Sequence, residues 1–372
     1  MDLKELVCLR TPSPIKSLGF SSDCRWLACG ENSGNITIWD VSQLEKGDVE
    51  PFARYPIPNI NDIDQHDRSV CSLAFRPLTS YLVSSTLGGI VSAINLLKES
   101  NNLLVVPKEL QRKHILCVNF SRQGDLMALG GGNLSSPGFG LEVLKREQNR
   151  WHRQVNIDMA TDITAADFSM DGKTLFSTSH TGLVQAWDSK TGDEQWSDDL
   201  KEPLECIAIS PNGRDLIVGT QRGHLFRWDL RSLAWYVKVL SRKEYFFGYP
   251  TEEEKKEIRQ LSRQRQREQL CYDAERSYVT SIVFSQRFEF MICGGWDAKI
   301  HFFDTSRYDS PFDKISILRF IRNESVSRNR DDVRITSLSA GSSLSGQLLA
   351  VCGSEGSRTK KTGYLILFQI LD

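Results

Sequence analysis

Apolar residues in this chain come in short packets separated by polar turns, and the packets recur in register. A first strand reads IKSLGF at 15, VCSLAF at 70, ILCVNF at 115, ITAADF at 163, LECIAI at 204, VTSIVF at 279 and ITSLSA at 335. Its third position is small every time: Ser17, Ser72, Cys117, Ala165, Cys206, Ser281 and Ser337. A second strand ends on Gly30, Ser85, Gly130, Thr178, Gly219, Gly294 or Gly353. A third follows as NITIWD, IVSAIN, GLEVLK, LVQAWD, HLFRWD, KIHFFD or YLILFQ. Fourth strands fit PFARYPI at 51, NLLVVP at 102, WHRQVNI at 151, EQWSDD at 194, WYVKVL at 235 and ISILRF at 315. No segment carries sustained apolar spacing near 3.6, so a helical core is excluded.

The first-to-second turns SSDCR, SRQGD, SMDGK and SPNGR hold the Asp, Asn and Gly that suit tight antiparallel turns. A single four-stranded unit cannot bury both faces, whereas units stacked radially can. The expectation is an all-β, seven-bladed β-propeller forming one domain over residues 1–372. Within each blade the strands are called a to d, from the axis outward.

The endings Trp39-Asp40, Trp187-Asp188 and Trp228-Asp229, with the variant Phe303-Asp304, resemble WD40 repeats. So do the segment from His66 to Phe75 and the turn from Gly294 to Ile300, which has Asp297 in the usual acidic place. The family's His–Ser/Thr–Asp–Trp hydrogen-bond set is incomplete in every repeat, so stability is expected to rest on packing. The last repeat ends after its third strand, and residues 4–10 are strand-like. The resemblance implies that this N-terminal strand completes the seventh blade and hides two sheet edges.

The resemblance also implies binding on the top face, through residues just before strand a and in the b–c turn. These are Asp67, Ser69, Arg112, His114, Asp162, Arg276, Tyr278, Asp332 and Arg334 before strand a, and Leu87, His180, Gln221 and Trp296 in the turns. Trp296 has no obvious sheet partner in its short polar turn, and Trp is enriched at interface hot spots. With Tyr278, Arg276 and Arg334 it makes the best candidate patch. Long segments at 58–69, 241–278 and 321–334 are expected as d–a loops, and those at 131–140 and 353–363 as b–c loops, all on this face.

The 241–278 insert contains TEEEKKEIRQLSRQRQREQL at 251–270, with a Thr251–Glu254 capping box and arginines near its end. This predicts a charged helix whose apolar stripe is only Ile258 and Leu261. Such a helix needs a docking surface; its own ring and a partner are both open. Tyr245, Phe246, Phe247 and Tyr249 precede it and either anchor the insert or form an aromatic contact. Arg259, Arg263, His180 and Arg112 complete the candidate partner-binding set.

The formal net charge is −1, which offers no global pull toward nucleic acid or acidic membranes. Nine cysteines with no CxxC pair read as buried thiols of a reducing compartment. The N-terminus has no secretory h-region, and the apolar run at 364–371 is too short to span a bilayer. The expected place is the cytoplasm. The six histidines are scattered, GGGN at 130–133 lacks a phosphate-loop lysine, and GSSLSG at 341–346 is not a nucleophile elbow. No metal, cofactor or catalytic set is expected. The function expected is a non-catalytic scaffold or adaptor subunit bound to a protein, a catalytic or effector subunit. The alternative is nucleic-acid binding by the Arg-rich insert and the 319–334 loop, and a third class is an enzyme using the central pocket.

Overall fold

A computed structural model describes residues 2–57, 65–97, 100–102, 114–132, 140–148, 150–230, 267–270, 278–285, 290–305, 313–319, 333–343, 346–356 and 361–371. They form seven four-stranded antiparallel sheets arranged as the blades of a propeller. Six sheets run in chain order; in the seventh, Asp2–Thr11 lies outermost, followed inward by Lys361–Leu371, Gly346–Gly356 and Arg334–Ser343. The expected N-terminal latch is therefore present, in register from Asp2 opposite Leu371 to Thr11 opposite Gly363. Among the described residues no helix is long and apolar enough to cross a membrane.

Two expectations change in blade five. Its outer strand is Arg267–Leu270, with Trp228 opposite Arg267, not the WYVKVL segment at 235. The end of the expected helix is thus strand, and residues 251–266 lie outside the described residues. The pairing makes 231–266 a c–d connection, not a d–a loop. Its flanks, Leu230 and Arg267, both sit at the edge that carries the a–b turns: the Leu230 N–H donates to Arg214 O at 2.6 Å. Periodicity could not settle this, because 235–240 is the more apolar candidate and pairing with Leu225–Asp229 decided the matter. In blade seven the expected 353–363 loop is largely strand, since Gly346–Gly356 and Lys361–Leu371 run long. In blade two the described outer strand is Ser100–Asn102.

The small third residue of strand a has a reason that spacing alone did not show. All seven inner strands carry a β-bulge between their first and third positions, from Ile15/Ser17 to Ile335/Ser337. A bulge re-aims side chains, and here they reach the inner strand of the next blade. Ser17 Oγ donates to Val70 O, Ser72 Oγ to Val118 O, Cys206 Sγ to Val279 O and Thr336 Oγ1 to Ile15 O. Ser281 Oγ accepts from Leu338 N–H. Asn119 donates to Ala166 O and Asp167, and Asp167 accepts from Ile209 N–H. Every junction around the ring is bridged by a side chain of strand a, from the bulge at five of them and from the fifth strand position, Asn119 or Asp167, at the other two. The small end of strand b makes the complementary space. A Cβ at Gly30 would overlap Val70 and Ser17, and one at Gly219 would crowd Cys206 Sγ at 2.7 Å and Val279 Cγ1 at 2.8 Å.

The core is accordingly a ring of clusters between blades. Trp26, Ile36 and Ile38 of blade one pack with Val70, Leu82 and Ile94 of blade two, and Val7 and Leu9 of the latch pack with Ile15, Leu27, Leu365 and Leu367. The Trp-Asp endings serve this frame. Trp187 Nε1 donates to Ser177 Oγ at 2.9 Å, Asp40 caps the short helix Val41–Leu44, and Asp188 accepts from Lys190 and Thr191 N–H. The eight described cysteines are free, and burial pushes the Cys117 and Cys352 thiols up to about 12.

Asp167 gives the ring a pH dependence. Burial pushes its carboxyl from 3.8 up to about 6, although the Ile209 and Phe168 N–H groups and the Asn119 amide pull it down. The folded chain therefore binds this proton more tightly than the unfolded chain does. The stability it contributes is full below the unfolded value and is lost as pH rises through about 6. Between pH 7 and pH 5 the native protein should gain about 1 kcal/mol more than Asp167→Asn, read from urea unfolding at both pH values. An identical pH response in both would exclude Asp167 as the source.

Candidate interaction site

Tyr278 stands immediately before strand a of blade six, Val279–Phe284. Trp296 occupies the b–c turn between Phe290–Gly295 and Lys299–Asp304. The Trp296 N–H donates to Tyr278 O at 3.1 Å, which ties the turn to the residue before the strand. The same bond recurs around the ring as Asn32 to Pro14, Leu87 to Ser69, His180 to Asp162 and Gln221 to Pro203. Gly295 is required beneath it, because a Cβ there would collide with Tyr278 O. The turn closes with Ala298 N–H on Gly295 O at 3.2 Å, Ala298 taking a left-handed φ of 56°. Asp297 Oδ1 accepts from Lys299 N–H at 3.1 Å, and its Oδ2 lies 3.4 Å from Nε2 of the fully buried His301. The turn is thus held from beneath by side chains that bear no load at its surface.

This geometry stacks the two aromatic rings, with centroids 4.0 Å apart and planes 19° from parallel. Arg334 opens strand a of blade seven and lays its guanidinium over the indole, with Cζ 4.2 Å from the ring centre. The hydroxyl of Tyr364 donates to Arg334 O at 3.0 Å, fixing the backbone that carries it. Tyrosine covers one face of the indole and guanidinium the other, so what Trp296 shows to solvent is an edge. It remains 37% exposed. Such a contact between cation and ring is worth about 0.5–1 kcal/mol at an exposed site.

Three of the sequence candidates therefore meet: Tyr278, Trp296 and Arg334. His180 does not join them. It lies in the b–c turn of blade four, where its Nδ1 is 3.4 Å from Gln221 Nε2. Gln221 Nε2 donates to Glu205 Oε2 at 2.9 Å, and burial raises the Glu205 carboxyl while Gln221, His180 and Lys16 lower it. This second polar group belongs to the bulge positions of strand a, where Lys16, Cys71 and Glu205 fall. His180 and Gln221 are among the sequence candidates, but Lys16 and Glu205 are not, because a bulge cannot be seen in a strand pattern. Arg112, Tyr245, Phe246, Phe247, Tyr249, Arg259, Arg263 and Arg276 lie outside the described residues.

The opposite face also carries apolar side chains. Val49, Phe52, Leu78 and Leu97 are exposed on blades one and two, near their a–b and c–d turns. Phe52 leans on Trp26 with centroids 4.5 Å apart, and Leu78 N–H donates to Ser22 Oγ at 3.3 Å. The expectation of a single elaborated face therefore needs correction, since the 231–266 connection also begins and ends at this edge.

A family model for the WD domain, G-beta repeat, matches residues 4–40 and 267–304. Two segments of this seven-bladed propeller thus match the WD40 repeat. Both matches begin in the outer strand of one blade and end with strand c of the next, which is how the latch and Arg267–Leu270 are placed here. A stretch of 69 residues of this chain is 36% identical to the target of rapamycin complex subunit wat1 of Schizosaccharomyces pombe, covering 18% of this chain and 22% of that one. Another, of 76 residues, is 26% identical to the target of rapamycin complex subunit LST8 of Mus musculus, covering 20% and 23%. The matched part thus spans less than a quarter of either relative. The β-propeller domain of Cps50 (Swd1) from Myceliophteria thermophila superposes with a TM-score of 0.67 over the whole of both chains at 12% identity, a likeness of fold.

Proposed function

We propose that this WD40 propeller is a non-catalytic scaffold subunit of a larger complex. It binds a protein, a catalytic or effector subunit, through the face that bears Tyr278, Trp296 and Arg334. The observation that carries this reading is the three-layer stack, an aromatic anchor held on tight loops of a rigid frame, where binding residues tend to gather. The two relatives named as target of rapamycin complex subunits support membership of a complex. The free cysteines, six of the eight described ones buried, support a reducing, cytoplasmic setting.

The test is the mass of the native particle, with wild type beside Trp296→Ala and Tyr278→Ala. Wild type should migrate as a complex. Truncating the anchor should weaken the complex by about 30-fold, the scale of a hot-spot residue, while the melting temperature stays near that of wild type. A native chain that is a lone monomer under every condition overturns the proposal.

A further inference from the structure

We infer that the Arg334–Trp296 stack is a seat for a carboxylate side chain, an Asp or Glu, presented by the protein partner. The inference rests on the scaffold reading and adds the chemistry of the contact. Arg334 is a half-buried cation whose recorded side-chain contact is the indole face. Among the described residues no carboxylate pairs with it. Of the described acids in the adjoining turns, Asp297 accepts from the Lys299 N–H and lies beside His301, and Glu355 pairs with Arg10. Lys299 and the exposed Lys361 add further positive charge to the same rim. A guanidinium already held flat by stacking loses little freedom when its planar fork accepts a carboxylate, and partial burial strengthens the resulting charge-assisted bonds.

The stack also argues against the other partners an aromatic–arginine site could take. A nucleobase or a partner's cation would need an open indole face, and Tyr278 and Arg334 occupy both. What is left to an incoming group is the guanidinium edge, a cluster of donors with no acceptor.

The test uses the full chain and a displayed library of random linear peptides, with single-stranded oligo-uridine as the competing probe. Selection on wild type should enrich peptides that carry Asp or Glu at a fixed position. Their binding should shift tryptophan fluorescence and weaken by about 10–100-fold in Arg334→Gln, the range of a lost charged hydrogen bond. Arg334→Lys should restore part of it, and replacing the peptide's acid by its amide should mimic Arg334→Gln. Melting curves establish that each variant is folded. Enriched peptides without an acid, a library with no Arg334-dependent binder, or Arg334-dependent capture of oligo-uridine would each overturn the inference. A native complex that forms but ignores Arg334→Gln sinks the carboxylate seat and leaves the scaffold reading standing. A chain that is a monomer in native form but selects acidic peptides does the reverse.

Discussion

Removing residues 1–10 is expected to lower the melting temperature by roughly 5–10 °C. The deleted strand fills the outer position of blade seven and pairs with Lys361–Leu371 along its length. Burial of Val7 and Leu9 against Leu365 and Leu367 contributes about 3–6 kcal/mol by itself. Leu3 also packs on the other side, against the cluster that holds Ile366, Phe368 and Ile370. Deletion leaves those residues on an open strand edge, so the loss should come with aggregation. The measurement is a thermal melt with light scattering. Supplying the strand as a separate peptide should recover part of the transition. An unchanged melting point would show that the ring does not depend on its latch.

The second large effect is expected in blade five. Asp215 is 1% exposed, and both the Nε and Nη2 of Arg227 reach its Oδ1, at 2.9 and 2.8 Å. Arg227→Met keeps much of the stem but leaves a buried carboxylate without its cation. That should cost about 3–5 kcal/mol in urea unfolding at neutral pH. The double variant Arg227→Met with Asp215→Leu should recover most of the loss, because two well-packed apolar residues can replace a buried pair at little cost. A single variant within about 0.5 kcal/mol of wild type would mean that the pair behaves as a surface bridge. A double variant no better than the single would mean that the cost lay in packing.

The opposite behaviour is expected for the exposed pair Lys173–Asp171. Its ends are 3.7 Å apart and open to water, so its removal should lie near the limit of detection. The contrast follows from burial and not from charge count.

Seven blades and their inner strands could be read from the chain alone, because a strand that buries one face must repeat its apolar residues at fixed intervals; the latch followed only from the resemblance to WD40 repeats. Ser17, Ser72 and Cys206 were legible as small residues at a constant place. Their hydrogen bonds to the next blade were not, because a bulge is created by pairing between strands and leaves no mark in one of them. Trp296, Tyr278 and Arg334 were legible as a candidate patch by their places in the repeat, but the sandwich of the indole depended on how two neighbouring blades approach. Blade five shows the limit from the other side. Two segments competed to be its outer strand, and the more apolar one lost to Arg267–Leu270. Local pattern determines which residues can form strands; which of them do, and what their side chains meet, is decided by long-range pairing, since those contacts exist only when the ring closes.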